Sequence, residues 1–194
     1  NLLRGINTNN TNLKNNIWKK EMGSLLANKT LGIIGFGKIG QKLAKLISGF
    51  EMNYLIYDPY IDKNSFNNKT NFQLATLSEL FKNSDVISIH VNLTQETKSM
   101  INYDLIRLMN PDSIIINASR GGILVEKDLE RAIKENKISG AALDVFSQEP
   151  YNGQLLNYDK IISTPHIGSY AKETRIQMEI EAANNIISFF KENK

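Results

Sequence analysis

Three closely spaced glycines constrain the fold of this chain more than any other feature. Gly35, Gly37 and Gly40 form a Gly-x-Gly-x-x-Gly pattern directly after the apolar run at 31–34 and directly before a helix-like stretch that starts at Lys38. In this setting the first glycine permits a tight strand-to-helix turn, the second lets a pyrophosphate approach the backbone, and the third lets helix and strand pack closely. The N-terminal N–H groups of the helix then face the phosphates. The pattern therefore predicts a dinucleotide-binding loop.

An acidic residue lies at the spacing that such a loop requires. A second apolar run, at 54–57, ends in Asp58, close to the separation of about 20 residues at which a carboxylate accepts hydrogen bonds from the adenosine ribose. Asp58 would also repel a 2′-phosphate, and Pro59 and Tyr60 offer no arginine to neutralise one. Lys63 is the nearest rival cation. We therefore expect the cofactor to be NAD and not NADP.

Short apolar runs alternate with amphipathic segments along the rest of the chain. This alternation is typical of β-α-β units, and it predicts an α/β fold with a doubly wound parallel sheet of the Rossmann type. The predicted strands span residues 31–35, 54–58, 85–91, 113–118, 140–145 and 161–164, with a short edge strand at 72–75. The predicted helices span residues 38–48, 77–82, 103–109, 127–136 and 171–191, the last with Ile176, Ile180, Ala183, Ile187 and Phe190 at helical spacing.

Composition narrows the classes of protein to consider. The chain has 194 residues, of which 41% are hydrophobic and 22% charged, as expected for one sizeable globular domain. Its net charge of +3 is small, and its lysines and arginines are scattered along the sequence, so we expect no nucleic-acid surface. No long apolar stretch or charged-then-apolar leader is present, so we expect no membrane contact and a cytoplasmic location. The chain has no cysteine and two histidines, so we expect no disulfide and no metal site.

Three later segments carry side chains suited to chemistry. Arg120, Glu149 and His166 each follow a predicted strand, at the edge of the sheet where ligands bind in this type of fold. A histidine can give or take a hydroxyl proton, and a carboxylate beside it would fix its tautomer and favour imidazolium. An arginine can hold a substrate carboxylate through two parallel hydrogen bonds. Each residue alone has an ordinary structural explanation, but together they indicate hydride transfer at a carbon that bears oxygen.

Two more polar residues lie at the ends of predicted strands. His90 has no acidic partner near it in sequence, and we interpret it as lining the cofactor cleft or as part of the core, without a catalytic role. Asn117, Ala118 and Ser119 match a glycosylation acceptor. Because this match ends a buried-looking strand, we interpret it as chance.

These segments resemble the NAD-binding domain of the D-isomer-specific 2-hydroxyacid dehydrogenase family, and within it most closely the phosphoglycerate dehydrogenases. The resemblance runs from about residue 2 to residue 190, and it is carried by the segments 31–40, 57–60, 117–122, 140–146 and 164–169. It implies that Arg120 binds the substrate carboxylate, that Glu149 supports His166, and that His166 is the acid and base.

The resemblance also implies a set of cofactor contacts. Lys38 and Ile39 would lie over the pyrophosphate, with Thr97 near the phosphates and Asp144 at the nicotinamide carboxamide. Asn92 stands where the family usually has proline, in the loop after His90. Among the remaining implied contacts, Asp58 would lie on the ribose, and Ala118, His166 and Gly168 would lie around the nicotinamide with Asp144. The other cofactor-binding residues are Pro59, His90, Asn92, Ser119 and Arg120.

The resemblance further implies a domain organisation. Residues 1–29 would form an interdomain helix and a dimerisation arm that contains Trp18, and residues 30–194 would form the NAD-binding domain and end in a second interdomain helix. The substrate domain of the family's enzymes is expected to be absent from this chain. Because of the arm, we expect a homodimer or higher homo-oligomer. Because the substrate domain is expected to be absent, we expect the chain to show little turnover by itself.

The function that the resemblance implies is interconversion of a D-2-hydroxyacid and its 2-oxoacid by an NAD-dependent oxidoreductase. Phosphoglycerate oxidation in serine biosynthesis is the leading substrate prediction, and a glyoxylate or hydroxypyruvate reductase would share every motif named above. A formate dehydrogenase fits less well, because its histidine pairs with glutamine where this chain has Glu149. The alternative from another class is a non-catalytic NAD-responsive regulator.

Overall fold

The computed structural model describes residues 1–61 and 71–192, so Lys63 lies outside the described residues. A parallel sheet of seven strands runs through the molecule in the order β3-β2-β1-β4-β5-β6-β7. The chain order reverses direction between β1 and β4, which is where ligands bind in open sheets of this kind. The strands are β1 Thr30–Ile34, β2 Asn53–Tyr57, β3 Phe72–Leu74, β4 Val86–Ile89, β5 Ile114–Asn117, β6 Gly140–Leu143 and β7 Ile161–Ser163. The predicted doubly wound fold is confirmed.

Six α-helices accompany the sheet within the described residues. They are α1 Ile6–Lys14, α2 Lys38–Leu46, α3 Leu77–Asn83, α4 Tyr103–Ile106, α5 Glu126–Lys134 and α6 Lys172–Glu192. Every predicted strand and helix is present, with ends that differ by a few residues. The helix predicted at 103–109 ends as an α-helix at Ile106. The N–H groups of Leu108 and Met109 then donate to the carbonyls three residues before them, those of Leu105 and Ile106. Pro111 disfavours helical backbone at Asn110, the residue before it, so the helix does not continue past Met109.

Two apolar layers cover the two faces of the sheet. Ile87 and Ile115 point into one layer, which α3, α4 and α5 complete with Leu80, Phe81, Ile106, Leu129 and Ile133. Leu31 and Ile33 point into the other layer, where Ala44 of α2 packs together with Met52, Tyr54 and Ile56. Central strands that are buried on both faces explain why their sequences read as continuous apolar runs.

The N-terminal segment packs partly on the second layer. Leu2, Leu3 and Leu26 contact that layer, and the N–H of Ser24 donates a hydrogen bond to the carbonyl of Leu3. Residues 17–25 form neither helix nor strand, and Trp18 is 82% exposed. The predicted domain boundary after residue 29, and the interdomain role of the two end helices, stay predictions.

Helix α6 exposes its side chains to solvent along residues 172–191. The predicted apolar line from Ile176 to Phe190 is present. At 100° per residue, a second apolar line lies on a different side of the helix, at Met178, Ala182, Ile186 and Phe189. The helix therefore offers apolar contacts over more than one side. No helix within residues 1–61 and 71–192 is both long and apolar enough to cross a membrane.

Replacement of Ile115 by Ala tests the two-layer core. Ile115 is 0% exposed on a central strand, so the truncation should lower the free energy of unfolding by about 2–5 kcal/mol. Leu46→Ala is the control, because Leu46 is 72% exposed on α2 and its loss should cost within about 0.5 kcal/mol. Urea unfolding measures both, and equal effects of the two variants would contradict this core.

Candidate active site

The glycine loop joins β1 to α2 and has the shape that a pyrophosphate requires. Gly35 has a φ of +88°, and a Cβ there would lie 2.8 Å from the carbonyl oxygen of His90. A Cβ at Gly40 would lie 2.5 Å from the carbonyl oxygen of Gly35, whereas one at Gly37 would meet nothing within 4 Å. Gly35 and Gly40 therefore permit close packing, and Gly37 leaves open space above the loop.

The N-terminus of α2 begins at a residue that cannot cap it with a side chain. The N-cap is Gly37, which makes no side-chain cap bond among the described residues, and Lys38 and Ile39 are exposed beside it. Uncapped N–H groups and the positive end of the helix dipole favour negative charge at this place. The open space and the uncapped helix fit the pyrophosphate of NAD, and Lys38 and Ile39 are the residues that would lie over it.

Asp58 holds the glycine loop in the structure. One carboxylate oxygen accepts from the N–H of Phe36 at 2.8 Å, and the other accepts from the N–H of Tyr60 at 2.9 Å. Each oxygen keeps acceptor capacity for a further hydrogen bond. Pro59 is exposed beside it. Asp58 thus connects the end of β2 with the loop, and its role at the ribose stays a prediction.

His166 and Glu149 form a hydrogen-bonded pair. Nδ1 of His166 lies 2.9 Å from Oε2 of Glu149, and the two side chains are 49% and 41% exposed. Hydrogen bonds from His166 and from the N–H of Phe146 hold the pKa of Glu149 below its usual value. The carboxylate is therefore charged at neutral pH and can fix which nitrogen of the imidazole carries the proton. The predicted juxtaposition of these two residues is present.

The segment that carries Glu149 is fixed at three points. Oε1 of Glu149 accepts from the N–H of Phe146 at 3.0 Å, and Glu126 at the start of α5 accepts from the N–H of Ser147 at 2.6 Å. A Cβ at Gly121 would lie only 1.8 Å from the carbonyl oxygen of Phe146. The absence of a side chain at Gly121 therefore lets the loop after β5 pack directly on the loop after β6. Through this contact Arg120 and Glu149 lie on adjoining loops.

Asp144 anchors the loop that carries His166. Its carboxylate accepts from the hydroxyl of Thr164 at 2.6 Å and from the N–H groups of Ile167 and Gly168 at 2.8 and 2.9 Å. Burial raises the pKa of Asp144, but these hydrogen bonds outweigh it and the net pKa lies below the usual value. His166 has a φ of +53°, a left-handed conformation that costs free energy in a non-glycine residue. The three bonds help to keep the loop in that conformation.

Arg120 lies on a turn at the end of β5. Its side chain is exposed, and Nη1 donates to the carbonyl of Ser119 at 2.6 Å. Asn117 is 2% exposed. Its Oδ1 accepts from the N–H and the hydroxyl of Ser119, and its Nδ2 donates to the carbonyl of Arg120. A buried Asn117 also rules out the glycosylation match, as expected. Ala118 is exposed at the same edge.

The remaining predicted cofactor residues lie in the loop after β4. Nε2 of His90 lies 2.8 Å from the hydroxyl of the buried Ser88, and burial lowers the pKa of His90. The hydroxyl of Thr97 donates to the carbonyl of Asn92 at 2.6 Å and so closes this loop. Their contacts with a cofactor stay predictions.

A cavity of about 550 Å³ borders the histidine–glutamate pair. Its wall is mostly apolar, and among the described residues it includes no lysine or arginine. The lining is formed by Phe146, Glu149, Pro150, Tyr151, Leu156, Ser163, Thr164, Pro165 and His166. No group of three or more histidine and carboxylate side chains that could hold a metal ion occurs within residues 1–61 and 71–192.

Sequence reasoning missed the residues that hold these loops. Asp144 was predicted only as a contact of the cofactor, and Asn117 only as a chance match. A polar side chain two residues before Ser119 is typical of an Asx-turn, so the role of Asn117 could have been read from the sequence. The bonds of Asp144 join positions 20 to 24 residues apart, and no local pattern indicates them.

Comparisons with known proteins identify the family to which this chain is similar. Residues 1–168 match the family model described as D-isomer specific 2-hydroxyacid dehydrogenase, NAD binding domain. A glyoxylate reductase of Pyrococcus furiosus is 41% identical over 169 residues, which cover 87% of this chain and 50% of that protein. A D-3-phosphoglycerate dehydrogenase of Methanocaldococcus jannaschii is 40% identical over 188 residues, which cover 95% of this chain and 35% of that protein. The chain thus spans half or less of the length of these two relatives.

A solved structure shows the same fold. The D-lactate dehydrogenase of Aquifex aeolicus, complexed with NAD and lactic acid, matches with a TM-score of 0.87 and 30% identity, over 98% of this chain and 62% of that one. The matched relatives carry different substrate names, so similarity alone does not choose among substrates. The family match over residues 1–168, together with the parallel sheet and its glycine loop, shows that the chain belongs to the D-isomer specific 2-hydroxyacid dehydrogenases and carries their NAD-binding domain.

Proposed function

We propose that the protein interconverts a D-2-hydroxyacid and its 2-oxoacid as an NAD-dependent oxidoreductase. The observation that carries this proposal is the 2.9 Å contact between His166 and Glu149, on loops at the same sheet edge as the glycine loop. A charged carboxylate that orients an imidazole is the arrangement that proton transfer to or from a substrate oxygen requires.

The residues of the chain divide the work of this reaction. NAD, when bound, carries the hydride. Glu149 holds Nδ1 of His166, which leaves Nε2 to take the hydroxyl proton during oxidation or to return it during reduction. Arg120 would bind the substrate carboxylate and thereby exchange its bond with the Ser119 carbonyl for two parallel bonds to the substrate.

The choice of 2-hydroxyacid is a separate question. Phosphoglycerate oxidation, as the first step of serine biosynthesis, and glyoxylate or hydroxypyruvate reduction use the same three residues. The cavity beside the pair offers no cation from its described lining, so a phosphate would need a cation from elsewhere. Assays with 3-phosphoglycerate, glyoxylate and hydroxypyruvate distinguish these substrates.

Replacement of His166 by Ala in the complete enzyme tests the proposed reaction. His166→Ala should lower turnover by about a hundredfold or more, because it removes the proposed proton carrier, while NAD affinity stays within about threefold. Steady-state kinetics and calorimetry measure the two quantities. Turnover close to that of the wild type in His166→Ala would refute the proposed role.

Glu149→Gln keeps the shape of the side chain and removes its charge. An amide can donate as well as accept a hydrogen bond, so it no longer fixes which nitrogen of His166 carries the proton. Turnover should therefore fall by about tenfold or more, and steady-state kinetics measures the loss. Glu130→Gln on α5 is the control, since Glu130 pairs with Lys134 and Tyr158 instead. Equal turnover in the two variants would count against the pair.

A comparison of cofactors tests the role of Asp58. A 2′-phosphate beside this carboxylate adds like charge, so NAD should bind about tenfold more tightly than NADP. In Asp58→Asn the preference should shrink to within about threefold. Calorimetric titration measures both affinities, with Asp104→Asn on α4 as a control that removes an exposed carboxylate elsewhere. Tighter binding of NADP by the wild type would overturn the assignment.

We further infer a homodimer that involves the arm around Trp18. Trp18, Met22 and Leu25 are exposed apolar side chains on a segment without helix or strand, and a second copy would remove this apolar surface from water. Equilibrium sedimentation of the 194-residue chain should give a dimer mass, and Trp18→Ala should shift the equilibrium toward monomer. A monomer mass for the wild type would refute this proposal.

A further inference from the structure

The turn that carries Arg120 depends on one buried side chain. Asn117 is the last residue of β5, and its side-chain amide makes three hydrogen bonds to Ser119 and Arg120. Its Oδ1 accepts from the N–H of Ser119 at 3.1 Å and from the hydroxyl of Ser119 at 3.0 Å. Its Nδ2 donates to the carbonyl of Arg120 at 3.1 Å. These bonds fix the backbone on both sides of the Ser119–Arg120 peptide.

Burial makes these bonds effective. Asn117 is 2% exposed, so water does not replace a lost partner as readily as it would at the surface. The backbone of Asn117 is also fixed, because its carbonyl accepts from the N–H of Asp144 on the neighbouring loop at 2.9 Å. The amide therefore connects a rigid strand to the exposed turn.

Within residues 1–61 and 71–192, the guanidinium of Arg120 has no comparable support. Its hydrogen bond there goes to the carbonyl of Ser119, which belongs to the turn that Asn117 holds. The position of the guanidinium thus follows from the position of this turn. A bidentate bond to a carboxylate requires a defined direction of approach, and a small displacement of the turn changes that direction.

We propose that Asn117 is a positioning residue that sets the direction in which Arg120 meets a substrate carboxylate. The proposal rests on the proposed function, in which Arg120 binds that carboxylate. It assigns to Asn117 an effect on carboxylate affinity that is separate from cofactor affinity, since the amide contacts the arginine turn and not the glycine loop.

Binding of oxamate, an unreactive carboxylate analogue of a 2-oxoacid, to the complete enzyme saturated with NADH tests this proposal. In Asn117→Ala the dissociation constant of oxamate should rise by about tenfold or more, while that of NADH stays within about threefold. Ser113→Ala is the matched control: Ser113 is buried just before the same strand and donates to the carbonyl of Ser84, so its loss removes a buried hydrogen bond far from the arginine turn.

Asn117→Asp keeps the size of the side chain and both acceptor bonds. It replaces the donation to the carbonyl of Arg120 by a negatively charged oxygen that repels that carbonyl, so it disturbs the turn on the same side. It should also weaken oxamate binding, while the dissociation constant of NADH stays within about threefold. This variant keeps the test open if Asn117→Ala does not fold.

Arg120→Ala separates failure of this inference from failure of the proposed function. If Arg120→Ala leaves oxamate binding unchanged, the proposed carboxylate site itself is wrong. If Arg120→Ala weakens binding but the folded Asn117 variants match Ser113→Ala, the positioning role of Asn117 is overturned. Equal losses of oxamate and NADH affinity in the Asn117 variants would show a general structural role and would overturn it as well.

Discussion

Parallel alignment of all seven strands is the constraint on which the rest of the structure depends. Because each strand runs in the same direction, the loops after β1, β4, β5, β6 and β7 emerge at one edge of the sheet. The glycine loop, Arg120, Glu149 and His166 all lie on those loops. Residues that are far apart in sequence are therefore brought together by strand direction, before any of their own contacts form.

Strand direction brings the loops together, but polar side chains at the strand ends give them their shape. Asp58 follows β2 and holds the glycine loop, Asn117 ends β5 and holds the arginine turn, and Asp144 follows β6 and holds the histidine loop. Each of these three side chains forms hydrogen bonds, through its oxygen or amide groups, with backbone N–H or carbonyl groups that the sheet leaves unpaired. The site therefore rests on three local anchors, in addition to its reacting groups.

The sequence was sufficient to predict the strands and most helix positions, because strands that are buried on both faces require continuous apolar runs. The pairing of Glu149 with His166 was also predictable, since both follow strands of the same sheet. The anchoring role of Asp144 was not, because its partners become neighbours only after β6 and β7 pair. The second apolar line of α6 could have been read from the helical spacing of its residues.

The close approach of Gly121 to the carbonyl of Phe146 brings two separate loops into direct backbone contact. Because no side chain at Gly121 lies between them, we expect a displacement of one loop to displace the other. We then expect the distance between the Arg120 turn and the Glu149 segment to vary less than the position of either loop. A substrate held at its carboxylate would consequently keep a nearly constant position relative to the proton carrier, even while the edge of the sheet moves.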